Sequence, residues 1–365
     1  MTVMTRRDLL AAAGATVAGT MEARAQTTTD KTLIGAAKPK NLIYGAALAT
    51  WQTDRDATLR RTFDRQCSTV VPEWEMKWGT IEATRGTRNY GAADRVVSFG
   101  ASHGLTCRGH AAIWHRNLPK WVDAAMRDEG ISVLATHISD LMTHYKGKIK
   151  SWDIVNEAIE PKDSQANSLR NSAFLQRLGP DYIGRAFTLA AEADPSIQGF
   201  YNEYGLYHND STDQARRTAV LALLEKLKSS GVPIYGLGIQ GHLAMGRPFD
   251  ASVFSTFLRQ VANLGLKILI TELDIDDRSL TQTVSERDRL VGERATKFLT
   301  AALSERAVEG VVTWGLSDKY SWLNNSVYQK RSDGTMNRCL PYDENFQTKP
   351  FWYSLYYAFK SAPLR

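Results

Sequence analysis

Eight short apolar runs, separated by longer stretches of helical periodicity, predict an α/β chain folded as a (β/α)8 TIM barrel in a single domain. Three observations carry this. The runs are apolar on both faces, as parallel strands covered on both sides require. They recur from residue 41 to residue 362 with no Ser/Pro/Gly-rich linker and no low-complexity stretch between them. Nearly every run ends in polar and aromatic residues, which is where a barrel gathers its functional groups. An open doubly wound sheet would need a Gly-rich phosphate turn after its first strand, and "GAALATWQTD" is not one.

The strands are expected in order as "LIYGAAL" at 42–48, "CSTVV" at 67–71, "LTCRGH" at 105–110, "IKSWDIV" at 149–155, "IQGFYN" at 197–202, "IYGLGIQ" at 234–240, "LKILITEL" at 266–273 and "EGVVTWG" at 309–315. Two of the intervening segments show the helical pattern most plainly. In "STDQARRTAVLALLEKLKSSGVP", Val220, Leu223, Leu224 and Leu227 fall on one face. Ser211 or Thr212 is placed to cap its start, and Gly231 with Pro233 ends it. In "VFSTFLRQVANLG", Val253, Phe257 and Val261 form the stripe and Gly265 the stop.

Residues 1–25 read as a targeting segment. Arg6 and Arg7 precede a mildly apolar run from Leu9 to Met21, and "ARA" at Ala23–Ala25 offers a small-residue cleavage site. This is the pattern of a twin-arginine signal peptide, too short and too rich in Ala and Gly to span a membrane. Export to a periplasm or beyond is expected, with no membrane anchor after its removal. Residues 26–40 ("QTTTDKTLIGAAKPK") read as a leader into the domain.

Composition sets the remaining bounds. With 43% hydrophobic and 23% charged residues in 365, the chain is neither mainly disordered nor fibrous. The net charge of +6 includes no Lys/Arg run of the kind that binds nucleic acid. It reads as a solvated basic surface, with attraction to an acidic polysaccharide as the alternative. Three cysteines, Cys67, Cys107 and Cys339, make no disulfide framework. Buried free thiols are expected, with a bridge through Cys339 left open. No CxxC or HxxH spacing suggests a metal site.

Chemistry is expected at the strand ends: "PEWEMKW", "GHAAIWH", "NE", "YNEY", "QGH", "TELD" and "WG". Two carboxylates stand out. Glu157 follows Asn156 after the run "SWDIV", and Glu272 follows "ILIT". A Glu at the end of an apolar strand is costly unless it is paired or used. On the fourth and seventh strands of a barrel, two such groups project into one mouth. Hydrolysis of a glycosidic bond needs that arrangement, a proton donor and a second carboxylate flanking one bond.

"WDIVNE", "GIQGHL", "ITELDI" and "WGLSDKYSW" resemble glycoside hydrolase family 10, the endo-β-1,4-xylanases, and the likeness runs from "YGAAL" to "KPFWYSLYYAF". The resemblance implies a (β/α)8 enzyme that cleaves xylan and xylo-oligosaccharides with retention, as a monomer, without metal or cofactor. It implies Glu157 as general acid/base and Glu272 as nucleophile. By the same likeness Asn156 donates to the sugar 2-hydroxyl, His242 hydrogen-bonds the nucleophile, Asp274 orients that His, and Gln240 is a further partner. Asp153 neighbours the acid/base and is expected to help hold its pKa up. Glu73, Lys77, His110 and Trp114 match glycone-side contacts, and Trp314 and Trp322 match aromatics that cradle the sugar at the cleavage point.

The chain departs from that pattern in three places. Trp74 stands where Asn is usual and is expected to weaken hydrogen bonding at the distal glycone sugar. Asn117 stands where Gln is usual. "YNEYGL" has Glu203 and Gly205 where Asp and Asn are usual. Two rival readings are activity on another β-1,4-glycan and a non-catalytic glycan-binding barrel. The intact Glu157, Glu272, Asn156 and His242 argue against the second.

Overall fold

The structure, a computed structural model, describes residues 31–326 and 329–365. The signal peptide expected at 1–25 lies outside the described residues. The eight apolar runs form β1 Ile43–Leu48, β2 Thr69–Pro72, β3 Thr106–Gly109, β4 Ser151–Asn156, β5 Gln198–Glu203, β6 Gly236–Ile239, β7 Lys267–Asp276 and β8 Val308–Thr313. Each strand pairs in parallel with the next, and β8 closes the ring on β1 with Ile43 opposite Gly310 and Ala46 opposite Thr313. Parallel neighbours need a crossover between them, and the helical segments supply it on the outside. All C-terminal strand ends therefore open on one mouth.

Two further short strands stand at that mouth. Ile113–Trp114 runs beside β4, and His242–Ala244 runs beside β7 with His242 opposite Asp274. Each carries a predicted site residue. On the outer face of the ring, Trp152 is fully buried between the backbone of β3 and Tyr145 of helix Ile131–Tyr145, its ring 5.9 Å from that of Tyr145. This contact requires Gly109, because a Cβ there would stand 2.0 Å from Cε3 of the indole.

The helices differ from expectation in detail. Helix Ser211–Ser229 is capped by Asp210, whose carboxylate accepts from the Asp213 N–H at 3.1 Å, in place of Ser211 or Thr212. A carboxylate also meets the positive end of the helix dipole, which a hydroxyl does less well. In helix Ala251–Asn263 the buried face is Phe254, Phe257, Leu258 and Val261, so Val253 lies at its edge.

The stretch read as a leader is part of the fold. Helix Leu33–Ala37 buries Leu33, Ala36 and Ala37 and packs against the C-terminal helix Pro350–Ser361. Its polar flanks hid a single helical turn. Arg365 ties the two ends together, its N–H donating to the Lys40 carbonyl at 3.1 Å and its guanidinium to the Val308 carbonyl at 2.7 Å. The folded unit thus reaches beyond both limits read from the sequence. Cys67, Cys107 and Cys339 are buried and unbridged, so the Cys339 disulfide left open above does not form. Among the described residues no helix is long and apolar enough to cross a membrane.

Candidate active site

Glu157 and Glu272 stand at the mouth on strands on opposite sides of the ring. Glu272 lies within β7, 5% exposed, and its N–H donates to the Gln240 carbonyl at 2.8 Å. Glu157 follows the last residue of β4 with φ 58°, a left-handed conformation that few side chains other than Asn and Asp adopt. Its N–H donates to the Asn202 carbonyl at 2.9 Å. A chain of amides joins the two carboxylates. Asn202 Nδ2 donates to Glu272 Oε1 at 2.7 Å and to Asn156 Oδ1 at 2.9 Å. Asn156 Nδ2 in turn lies 3.4 Å from Glu157 Oε1. Thr271 fixes the flip of Asn202 by donating to its Oδ1 at 2.7 Å.

The surroundings of the two groups differ in charge. His242 Nε2 lies 3.2 Å from Glu272 Oε2, and His242 Nδ1 lies 2.8 Å from Asp274 Oδ1. Trp322 Nε1 donates to the other Asp274 oxygen at 2.7 Å. Burial alone would neutralise His242, but the charge and hydrogen bond of Asp274, then those of Glu272, hold it protonated well above the usual imidazole range. Both ring N–H groups then donate. Burial alone would also raise the pKa of Glu272. The charge of His110, the hydrogen bond and charge of His242, and the Asn202 amide together hold it well below the usual carboxylate range.

The sign of this effect is testable. A carboxylate with a depressed pKa stays ionised until the pH falls through that value. His242→Asn removes a charged donor, so the acidic limb of kcat/KM is expected to move to higher pH by about one unit. An unchanged limb in the pH profile would show that His242 does not act on Glu272.

Glu157 has neutral partners. Gln240 Nε2 donates to its Oε1 at 3.0 Å. Among the described residues the basic nitrogen nearest its carboxylate is Nδ1 of His115, 3.8 Å from Oε2. Burial, then the charges of Arg170 and Arg116, hold His115 neutral, with its pKa lowered to about 3. One carboxylate therefore sits among cationic donors and the other among amides. The cationic donors hold the first charged.

Other predicted residues gather around Lys77 and His110. Lys77 is buried, with Nζ 3.7 Å from the Trp74 ring centroid and 4.6 Å from that of Trp114. Trp74 is 47% exposed, with one ring face on the Lys77 ammonium. Glu73 accepts from Gln52 Nε2 at 3.2 Å, and burial raises its pKa to about 7 against the pull of Lys77. His110 Nδ1 lies 4.0 Å from Glu272 Oε1, and its ring meets Trp314 edge to face at 5.2 Å.

Two positions differ from expectation. Asp153, expected beside Glu157, is bound instead to Arg108 Nη2 at 2.5 Å and to His110 Nδ1 at 3.0 Å. Its charge is absorbed by an adjacent strand, so it orients His110 on the Glu272 side. Asn117 lies exposed at the rim with φ 51°, and its carbonyl accepts from the Gly79 N–H at 2.8 Å. That conformation suits the short amide of Asn better than Gln. The structure does not bring its side chain to the carboxylates. Sequence reasoning missed Asn202, Thr271, Arg108 and His115. Asn202, Thr271 and His115 carried a signal, as polar residues within the strand-end motifs "YNEY", "TELD" and "GHAAIWH".

Comparison with known proteins agrees with this geometry. The sequence profile described as glycosyl hydrolase family 10 matches residues 32–358. The chain is 35% identical over 296 residues to a beta-1,4-xylanase of Dictyoglomus thermophilum, covering 78% of this chain and 80% of that one. Xylanase 10B of Thermotoga maritima superposes with a TM-score of 0.81 at 30% identity, over 90% of this chain and 98% of that one. Xylanase 10B of Thermotoga petrophila RKU-1, solved in complex with xylobiose, gives 0.82 at 29% identity, over 91% and 98%. With its closed parallel barrel and its paired carboxylates on the fourth and seventh strands, this chain belongs to glycosyl hydrolase family 10.

Proposed function

We propose that the chain hydrolyses internal β-1,4 bonds of xylan by double displacement, with Glu157 as general acid/base and Glu272 as nucleophile. The observation that carries these roles is the contrast between cationic donors around Glu272 and neutral amides around Glu157. In the first step Glu157 gives its proton to the glycosidic oxygen while Glu272 attacks the anomeric carbon, forming a covalent glycosyl-enzyme. In the second, Glu157 takes a proton from water as that water displaces Glu272. Asn156 is placed to donate to the sugar 2-hydroxyl, a bond that tightens as positive charge develops on the ring. Reducing ends are expected to appear from xylan, with the β-anomer as first product by NMR. An α-anomer formed first would overturn the double displacement. Faster release from a β-1,4-glucan than from xylan would overturn the substrate.

Trp74 is proposed to weaken the distal glycone site. An indole can only donate, through one N–H, where an amide both donates and accepts. One ring face is already taken by the Lys77 ammonium. Trp74→Asn is expected to raise kcat/KM by roughly threefold to tenfold, the worth of one hydrogen bond, only on xylo-oligosaccharides long enough to reach that sugar. A fall on those substrates would mean the ring stacks on sugar. Export by the twin-arginine route is proposed on Arg6, Arg7 and the "ARA" cleavage site alone.

A further inference from the structure

The turn after Glu157 is pinned by three successive residues of β5. The Asn202 carbonyl accepts from the Glu157 N–H at 2.9 Å. The Tyr201 hydroxyl accepts from the Ala158 N–H at 3.1 Å. Glu203 Oε2 accepts from the Ile159 N–H at 3.1 Å and from the Tyr201 hydroxyl at 2.5 Å. The second Glu203 oxygen takes the Tyr204 N–H at 3.1 Å. Glu203 itself is fully buried and has no access to substrate.

The carbonyls of the turn are held from the other side. Arg170 Nε donates to the Glu157 carbonyl at 2.7 Å, and Arg216 Nη1 donates to the Ile159 carbonyl. Arg216 also lies 4.1 Å from the Tyr204 ring centroid and binds both oxygens of Glu160 at 3.1 Å. Gly205 makes this possible. Its φ is +62°, and a Cβ there would stand 2.9 Å from Arg216 Nε. The two departures in "YNEYGL" thus serve one device. The longer Glu203 side chain reaches the turn, and Gly205 leaves room for the arginine behind it.

We infer that Glu203 is a positioning residue for Glu157, holding the left-handed turn that aims the Glu157 carboxyl at the glycosidic oxygen. The inference rests on the proposed acid/base role of Glu157. A general acid contributes about 10²–10⁴-fold only if it meets the oxygen it protonates, and displacements near 1 Å erode that factor. Loosening the turn therefore harms substrates in proportion to their need for a proton. A merely structural role would lower all substrates alike.

The test compares kcat/KM, which reports only steps through departure of the leaving group, on two aryl β-xylobiosides. The 2,4-dinitrophenyl group leaves without a proton, and the phenyl group needs one. Glu203→Gln keeps the shape but cannot accept at both oxygens. It is expected to lose about tenfold or more on the phenyl substrate and on xylan, and less than about threefold on the dinitrophenyl substrate. Tyr201→Phe removes the acceptor of the Ala158 N–H and one donor to Glu203 Oε2, but leaves the Glu203 side chain and its bond from the Ile159 N–H in place. It is expected to show the same selectivity to a smaller degree, and it carries the test if Glu203→Gln does not fold, as judged by its thermal midpoint. Equal losses on both substrates, or none, in a folded variant would overturn the inference. Glu157→Ala, run beside them, separates the two levels: an equal loss on both substrates there would overturn the acid/base assignment itself.

Discussion

Glu272→Ala is expected to lose hydrolysis of every β-xyloside, by about four orders of magnitude or more, whatever the leaving group. The carboxylate is buried, and its oxygens take Asn202 Nδ2 at 2.7 Å and His242 Nε2 at 3.2 Å. Those donors hold its charge where the anomeric carbon must be attacked. An activated leaving group removes the need for a proton but not for a nucleophile. The 2,4-dinitrophenyl and phenyl substrates should therefore fall together. The loss is chemical and not a failure of folding, because the main-chain bond from residue 272 to the Gln240 carbonyl does not depend on the side chain. The checks are kcat/KM on both substrates and an unchanged thermal midpoint. Activity within about a hundredfold of the parent on the dinitrophenyl substrate would sink the nucleophile assignment.

The frame of the site was legible in the sequence, and its wiring was not. All eight strands could be read because a parallel strand covered on both faces is a short apolar run, a local property. Glu157 and Glu272 could be read because a Glu ending such a run is anomalous. The partners of those residues depend on which side chains meet across the ring. Arg108 and Asp153 meet because Arg108 on β3 lies beside β4, and a separation of 45 residues gives no hint of it. Asp153 was placed by its nearness in sequence to Glu157, and the strand lattice overrode that nearness. Asn202 bridges residues 46 and 70 positions away, so only the closed ring makes it central. The turn at Leu33–Ala37 escaped notice for the opposite reason. One apolar face of five residues is too short to stand out against a polar flank.

Glu157→Ala is expected to split the substrates that Glu272→Ala treats alike. Without the acid, kcat/KM on xylan and on the phenyl xylobioside should fall by about 10²–10⁴-fold, while the dinitrophenyl substrate keeps its first step. The second step then stalls, since no base remains to activate water, and glycosyl-enzyme accumulates as a burst of dinitrophenolate. Azide needs no base. It can enter the space left by the side chain, on the face opposite Glu272, and displace the nucleophile. Turnover should return with azide concentration, and the product should be the β-glycosyl azide. The groups touching Glu157 Oε1 are the neutral amides of Gln240 and Asn156, at 3.0 and 3.4 Å, so no cation binds the carboxylate that azide replaces. On the Glu272 side the surroundings are cationic, so azide attracted there would attack from the other face and give the α-azide. The anomer isolated therefore reports which carboxylate was removed. A β-azide formed by Glu272→Ala, with none from Glu157→Ala, would reverse the two roles.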